Sequence, residues 1–245
     1  MDAGGPFHTT RWSLVLSAGG ADALRRRTAL EELCSSYWYP LYAYLRRRGE
    51  SSDDAADLVQ GLFRRLLEDD ALARVAPEGG RFRGWLLGVL KHHVADERRR
   101  AAADKRGGLH VHVAIDTAEG ERRIELASPG GEAPEVVFER AWASQVLRLA
   151  YDALECSSIV EGQRALFDAL APELLDPDAA RPRAEVAAQL GMEPVALRVA
   201  VHRLKRRYRE EVLRVVRETL GPDLDAGEEL RALHGALAGE IRTGG

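Results

Sequence analysis

Apolar residues along most of this chain recur at steps of three and four, the signature of helices that bury one face. Ala29, Leu30, Leu33, Cys34, Tyr37, Leu41, Tyr44 and Leu45 form one such stripe. Pro40 falls inside it and cannot donate a helical hydrogen bond, so it is expected to kink or divide the helix. Three arginines before Gly49 suit a helix C-terminus. Ser51-Ser52-Asp53-Asp54 then reads as a helix cap, with Val59, Leu62, Phe63, Leu66 and Leu67 facing inward beyond it. A loop from Asp69 to Gly80 precedes a third predicted helix, roughly Phe82 to Ala102, with Phe82, Leu86, Val89, His93 and Val94 on its apolar side.

The texture changes after Arg106-Gly107-Gly108. His110 to Asp116 alternates weakly like a short strand, and Ser128-Pro129-Gly130-Gly131 with Pro134 is rich in breakers. Residues 104–134 are therefore expected to form an acidic, mostly flexible linker. Helical periodicity resumes with Val136, Val137, Trp142, Val146, Leu149 and Leu154 inward. A helix near Gln163 to Leu170, a Pro/Asp loop over 172–182 and a helical segment over 184–208 follow, and Leu230, Leu233 and Leu237 mark a last amphipathic helix. The expected fold is all-α: two helical domains, 24–103 and 135–215, joined by that linker. An N-terminal extension (1–23) precedes them, and a C-terminal helical extension (216–245) follows.

Composition narrows the function. Apolar residues at 45% and charged residues at 30% fit a globular chain, while aromatics at 6% argue against a large aromatic-lined ligand cavity. Cys34 and Cys156 stand far apart and form neither a disulfide framework nor a zinc knuckle, which fits a reducing, cytoplasmic setting. Met1 to Thr10 does not read as a secretory signal, and no run approaches the length of a membrane span.

The net charge of −4 conceals strong segregation. Arg198, Arg203, Lys205, Arg206, Arg207 and Arg209 fall within twelve residues that hold no acid. Arg98, Arg99, Arg100, Lys105 and Arg106 form a second basic cluster, whereas 116–139 and the stretch after Arg209 are mainly acidic. Local fields of this kind, rather than the total, decide where a polyanion docks.

Three motifs carry candidate chemistry. In the first, Glu185 to Leu190 meets a turn at Gly191, and a second helix begins at Pro194. Ala187 and Ala188 allow two helices to cross closely, which is helix-turn-helix logic. Leu197, Val201, Leu204 and Tyr208 share one face of the second helix, and Arg198, His202, Lys205 and Arg209 share another, flanked by Arg203 and Arg206. A basic exposed face there suits the major groove, although an ordinary solvated bundle helix would look similar.

In the second motif, Arg81, Trp85, His92 and Arg99 align along one side of the third helix. Cations interleaved with an aromatic suit melted DNA, while Trp85 taken alone reads equally well as core. His92, His93, Asp96 and Glu97 are metal-ligating residue types close together, but adjacent helical side chains diverge by about 100°, so no metal is expected. The third motif places Asp53 and Asp57 on one helix face with Gln60 nearby. Capping accounts for Asp53 and Asp54 but not for Asp57, which lies beyond the first turn.

These strings resemble extracytoplasmic-function (ECF) sigma factors of bacterial RNA polymerase. Tyr42 to Gly49, Asp53 to Phe63 and Arg83 to Arg100 look like the family's N-terminal domain, and Ala184 to Tyr208 looks like its C-terminal helix-turn-helix domain. The resemblance implies a non-enzymatic initiation subunit with no catalytic residue and no cofactor. Core RNA polymerase and promoter DNA would be its partners, with an anti-sigma factor or other regulator as a further candidate. It implies that Asp53, Asp54, Asp57 and Gln60 dock on polymerase. Arg81, Arg83, Trp85, Lys91, His92, Arg98 and Arg99 would engage the −10 element with the loop before them, and Phe82 would lie among them. Arg198, Val199, His202, Arg203, Lys205 and Arg206 would meet the −35 element, and the linker would thread toward the polymerase active-site channel.

The chain departs from the family pattern in four places. Gly61 stands where a bulkier or acidic residue is usual, the 172–182 loop is long, and both the segment with Trp12 and the tail after 216 are extra. The tail is expected to fold onto one of the DNA-binding domains and moderate activity. Two other readings stay open on the residues alone: a stand-alone helix-turn-helix regulator and, more distantly, a magnesium-dependent all-α prenyl-diphosphate enzyme using the Asp53 cluster. The latter would need a second metal cluster and an aromatic pocket.

Overall fold

The computed structural model describes residues 23–68, 72, 81–103, 116–127, 131–220 and 223–239. Among them every regular element is helical. The helices are α1 (Ala23–Arg47), α2 (Ser52–Glu68), α3 (Phe82–Ala103), α4 (Thr117–Ala127), α5 (Pro134–Val160), α6 (Arg164–Leu170), α7 (Pro172–Leu175), α8 (Arg183–Leu190), α9 (Pro194–Glu218) and α10 (Ala226–Ala238), with a 3₁₀ turn over Pro177–Ala179. The chain forms two compact units, one of Met1–Ser144 with Glu218–Gly245 and one of Gln145–Arg217. The weak strand signal at 110–115 and nearly all of the 69–80 loop lie outside the described residues.

In the first unit, the whole stripe from Ala29 to Leu45 is buried along α1. The helix continues through Pro40 rather than dividing there. A proline forfeits one hydrogen bond, and the burial of residues on both sides of it outweighs that loss. Ser51 caps α2: its hydroxyl accepts from the Asp54 amide at 3.1 Å and meets the Asp54 carboxylate at 2.7 Å. Val59, Leu62, Phe63 and Leu66 of α2 and Phe82, Leu86, Leu90 and Val94 of α3 complete the core against α1.

Trp142 of α5 was expected in the second domain, yet it belongs to the first unit. Its ring stacks on Tyr37 at 4.6 Å between centroids and 3° between planes, and Phe82 meets Tyr37 edge-on at 5.3 Å. Tyr37 and Trp142 are fully buried. Periodicity shows that a face is buried but not which surface covers it.

The expected flexible linker contains an ordered helix. Asp116 caps α4 by accepting from the Glu119 amide at 2.9 Å. Glu121 accepts from Arg46 at 2.7 and 2.9 Å and from the Tyr42 hydroxyl at 2.5 Å. Arg123 lies over the Tyr39 ring at 4.8 Å, and Ile124 packs on Tyr39, Ala43, Val137 and Ala141. Those anchors hold a segment whose acidic, glycine-flanked composition reads as loose. The 172–182 stretch likewise holds α7 and the 3₁₀ turn instead of a plain loop.

The second unit packs Phe167 and Leu170 of α6, Val186 and Ala187 of α8, and Leu197, Leu204 and Tyr208 of α9. Tyr208 donates its hydroxyl to the Leu147 carbonyl at 3.0 Å. Between α8 and α9, Gly191 adopts φ 61°, a left-handed conformation that costs glycine nothing. The amide of Met192 closes on the Ala187 carbonyl at 2.9 Å in the manner of a Schellman cap, and the turn delivers Pro194 to the first position of α9.

Trp142→Ala should cost about 3–5 kcal/mol, because it empties a stacked, fully buried position. Urea unfolding followed by circular dichroism measures the loss.

Candidate functional site

Three surfaces of the folded chain hold the predicted residues. On α2, Asp53, Asp54 and Asp57 are exposed and Gln60 is half-buried. Asp54, Asp57 and Gln60 border a pocket of about 420 Å³ whose other walls include Gly61, Arg64 and His93. Asp57 is not engaged in the Ser51 cap, so capping leaves its position unexplained, as the sequence indicated. This is a carboxylate-bearing helix face suited to a basic partner surface.

The second surface runs along α3. Arg81, Lys91, His92, Arg98 and Arg99 are exposed, and Trp85 is half-buried with its ring stacked on Phe82 at 5.4 Å. Arg83 departs from the expectation: it is buried, 4% exposed, rather than presented to solvent. Glu139 of α5 accepts from its Nε at 3.0 Å, and Glu229 of α10 lies 2.5 Å from its Nη1. Burial disfavours the guanidinium charge, but the two carboxylates more than offset this, so Arg83 is held in its charged form.

The other cations of α3 also have acidic partners. Arg81 donates to Glu229 at 2.7 Å and Lys91 to Glu135 at 2.8 Å, while Arg98 pairs with Glu50 and Arg99 with Asp96. Hydrogen bonds from Arg65 and Arg99 keep the Asp96 carboxyl below its ordinary range. His92 is exposed while His93 is buried, the divergence expected of neighbours on a helix. No group of metal-ligating side chains gathers among the described residues.

The third surface is on α9. Leu197, Leu204 and Tyr208 point inward, while Arg198, Val199, His202 and Arg203 are exposed. Among the described residues no ion pair holds Arg198 or Arg203. Lys205 behaves differently. Together with Arg183 it serves the buried Glu173, at 3.4 and 2.6 Å, which makes it partly a structural tether. Arg206 has a long exposed pairing with Glu210 at 3.6 Å, and Arg207 binds Glu161.

Residues 34–103 match the family model for sigma-70 region 2. The likeness to sigma-70 region 2 covers those residues alone, less than half of the chain. No curated protein and no solved structure matches the chain. The match begins within α1 and ends with α3, so it contains both the acidic face and the basic, aromatic helix. Among the described residues no helix is long and apolar enough to cross a membrane.

A Cβ on Gly61 would stand 2.9 Å from Nε2 of His93, so a side chain at that position would require the buried imidazole to shift. Sequence reading missed Glu139, Glu173 and Glu229 as partners of the predicted cations. A faint signal existed for Glu229, which shares a helical face with Leu233 and Ala236.

Burial, above all, lowers the His93 pKa below its ordinary 6.5, with Arg65 and Arg100 acting in the same direction and Glu97 and Asp96 opposing them. The unfolded chain therefore takes up this proton first as pH falls. Stability is full above about pH 6.5 and is lost as pH drops through that value toward the lower folded pKa. The thermal midpoint should fall from pH 7.5 to 5.5, and His93→Leu should flatten that slope. An equally steep slope in the variant would show that other groups cause it.

Proposed function

We propose that this chain is a sigma factor of the extracytoplasmic-function type, acting in the cytoplasm to bring core RNA polymerase to particular promoters and to help open them. The observation that carries this reading is the region 2 match over the body built by α1 to α3. In this reading Asp53, Asp54, Asp57 and Gln60 dock on polymerase. Trp85 with Arg81, Lys91, His92, Arg98 and Arg99 serves the −10 element, where stacking on an aromatic and cationic grip on the backbone stabilise melted strand, whereas the buried Arg83 reaches DNA only where its carboxylate partners give way.

We read α8, the Gly191 turn and α9 as a helix-turn-helix for the −35 element. The exposure of Arg198, Val199, His202 and Arg203 supports this assignment. Lys205 and Arg206 then lie nearer the phosphates. The chain needs no catalytic residue or cofactor for this work, because polymerase performs the chemistry. Isolated, it should bind promoters weakly, since polymerase fixes the spacing between the two DNA-reading surfaces.

The test is retention of core polymerase on the immobilised full-length chain. Asp57→Arg should cut retention at least tenfold, about 1.4 kcal/mol, with the unfolding midpoint unchanged, because the side chain is exposed. Normal holoenzyme assembly by this variant would reject the docking face. Separately, Arg203→Ala in the holoenzyme should cost about 1–3 kcal/mol of discrimination between promoter and altered −35 sequences. Equal weakening on all sequences would assign Arg203 to phosphate instead.

A further inference from the structure

We infer that α10 is an intramolecular competitor for promoter DNA, with the Glu229 carboxylate occupying the two guanidiniums that open α3. The inference rests on the reading above that the start of α3 faces the −10 DNA. Arg81 and Arg83 flank Phe82 at that point of region 2. Glu229 meets both, accepting from Arg81 Nε through Oε2 at 2.7 Å and contacting Arg83 Nη1 through Oε1 at 2.5 Å. It is 1% exposed, so this is no surface pairing but an acid driven into the unit's interior.

The face that α10 buries shows the same design. From apolar spacing, Leu230, Leu233 and Leu237 are expected to point inward. The helix instead buries Glu229, Leu233 and Ala236 and leaves Leu237 40% exposed. A helix seated only by the hydrophobic effect would not turn a glutamate inward over a leucine. Its orientation is explained by the positive charge waiting on α3. Asp225 caps the helix by accepting from the Gly227 and Glu228 amides, and Arg140 Nε reaches the Ala236 carbonyl at 3.3 Å near the other end.

An arginine fork accepts a carboxylate or a phosphate with the same geometry. Two guanidiniums sharing one carboxylate therefore reproduce, within the chain, the grip they would place on a strand phosphate. Tethering raises the effective concentration of Glu229, so free DNA competes poorly. DNA held in place by polymerase competes under the same tethered terms and displaces it. The tail thus suppresses binding by the free subunit and yields within the transcription complex.

Full-length protein and a fluorescein-labelled short single-stranded DNA of mixed sequence, read by fluorescence anisotropy at low salt, test this directly. Glu229→Gln, which removes the charge at nearly constant shape, should tighten binding several-fold. Leu233→Asp, which undocks α10 without touching Glu229, should do the same. Combining Glu229→Gln with Arg81→Ala should abolish the gain. Unchanged or weaker binding in both releasing variants would overturn the inference, as would a gain that survives Arg81→Ala. A chain that fails to retain core polymerase would end the sigma reading without altering these DNA affinities, so the two failures are distinguishable.

Discussion

A guanidinium at 4% exposure is the demand around which the first unit is organised. Removing a cation from water is costly, and Glu139 and Glu229, reaching Arg83 from two other helices, offset that cost. Meeting that demand draws α5 and α10 onto the start of α3. Glu229 and Arg83 are each nearly inaccessible, and Glu139 shares the Arg83 charge from α5, so the guanidinium keeps one carboxylate partner if Glu229 withdraws. Their contact is an ion contact rather than an aligned hydrogen bond, with Nη1 of Arg83 and Oε1 of Glu229 otherwise unpartnered. An external anion of suitable geometry could take over such a contact.

The matched region carries two charged faces. Its acidic face on α2 stands open. Its basic face on α3 is occupied by carboxylates belonging to the same chain: Glu50, Asp96, Glu135 and Glu229. The basic face of α9 in the second unit differs, because Arg198 and Arg203 are exposed and held by no ion pair among the described residues. A chain carrying a net charge of −4 and two basic surfaces thus keeps one of them internally neutralised.

Much of this was readable from the residues. The three- and four-residue spacing identifies the buried faces of α1, α2, α3 and α9, and the all-helical class follows from them. Gly191 and Pro194 mark the turn before α9, and Asp57 stands out because capping cannot account for it. What could not be read was pairing at long range. Nothing near Trp142 indicates that it stacks on Tyr37, and nothing near Glu121 indicates that Arg46 and Tyr42 will fix α4 in place of a loose linker. Leu237 misled because local hydrophobicity outranked an acid whose partner lies 148 residues away. Periodicity is local information, and these contacts are not.

The account stands or falls on whether this chain confers promoter choice on polymerase. In vitro transcription on a fragmented bacterial genome, with core enzyme alone and with core plus the full-length chain, tests that claim most directly. The account predicts discrete new transcripts, started at a shared pair of upstream elements, that appear only when the chain is present. A transcript pattern identical to that of core enzyme alone, across ionic conditions in which a reference sigma factor works, would contradict it.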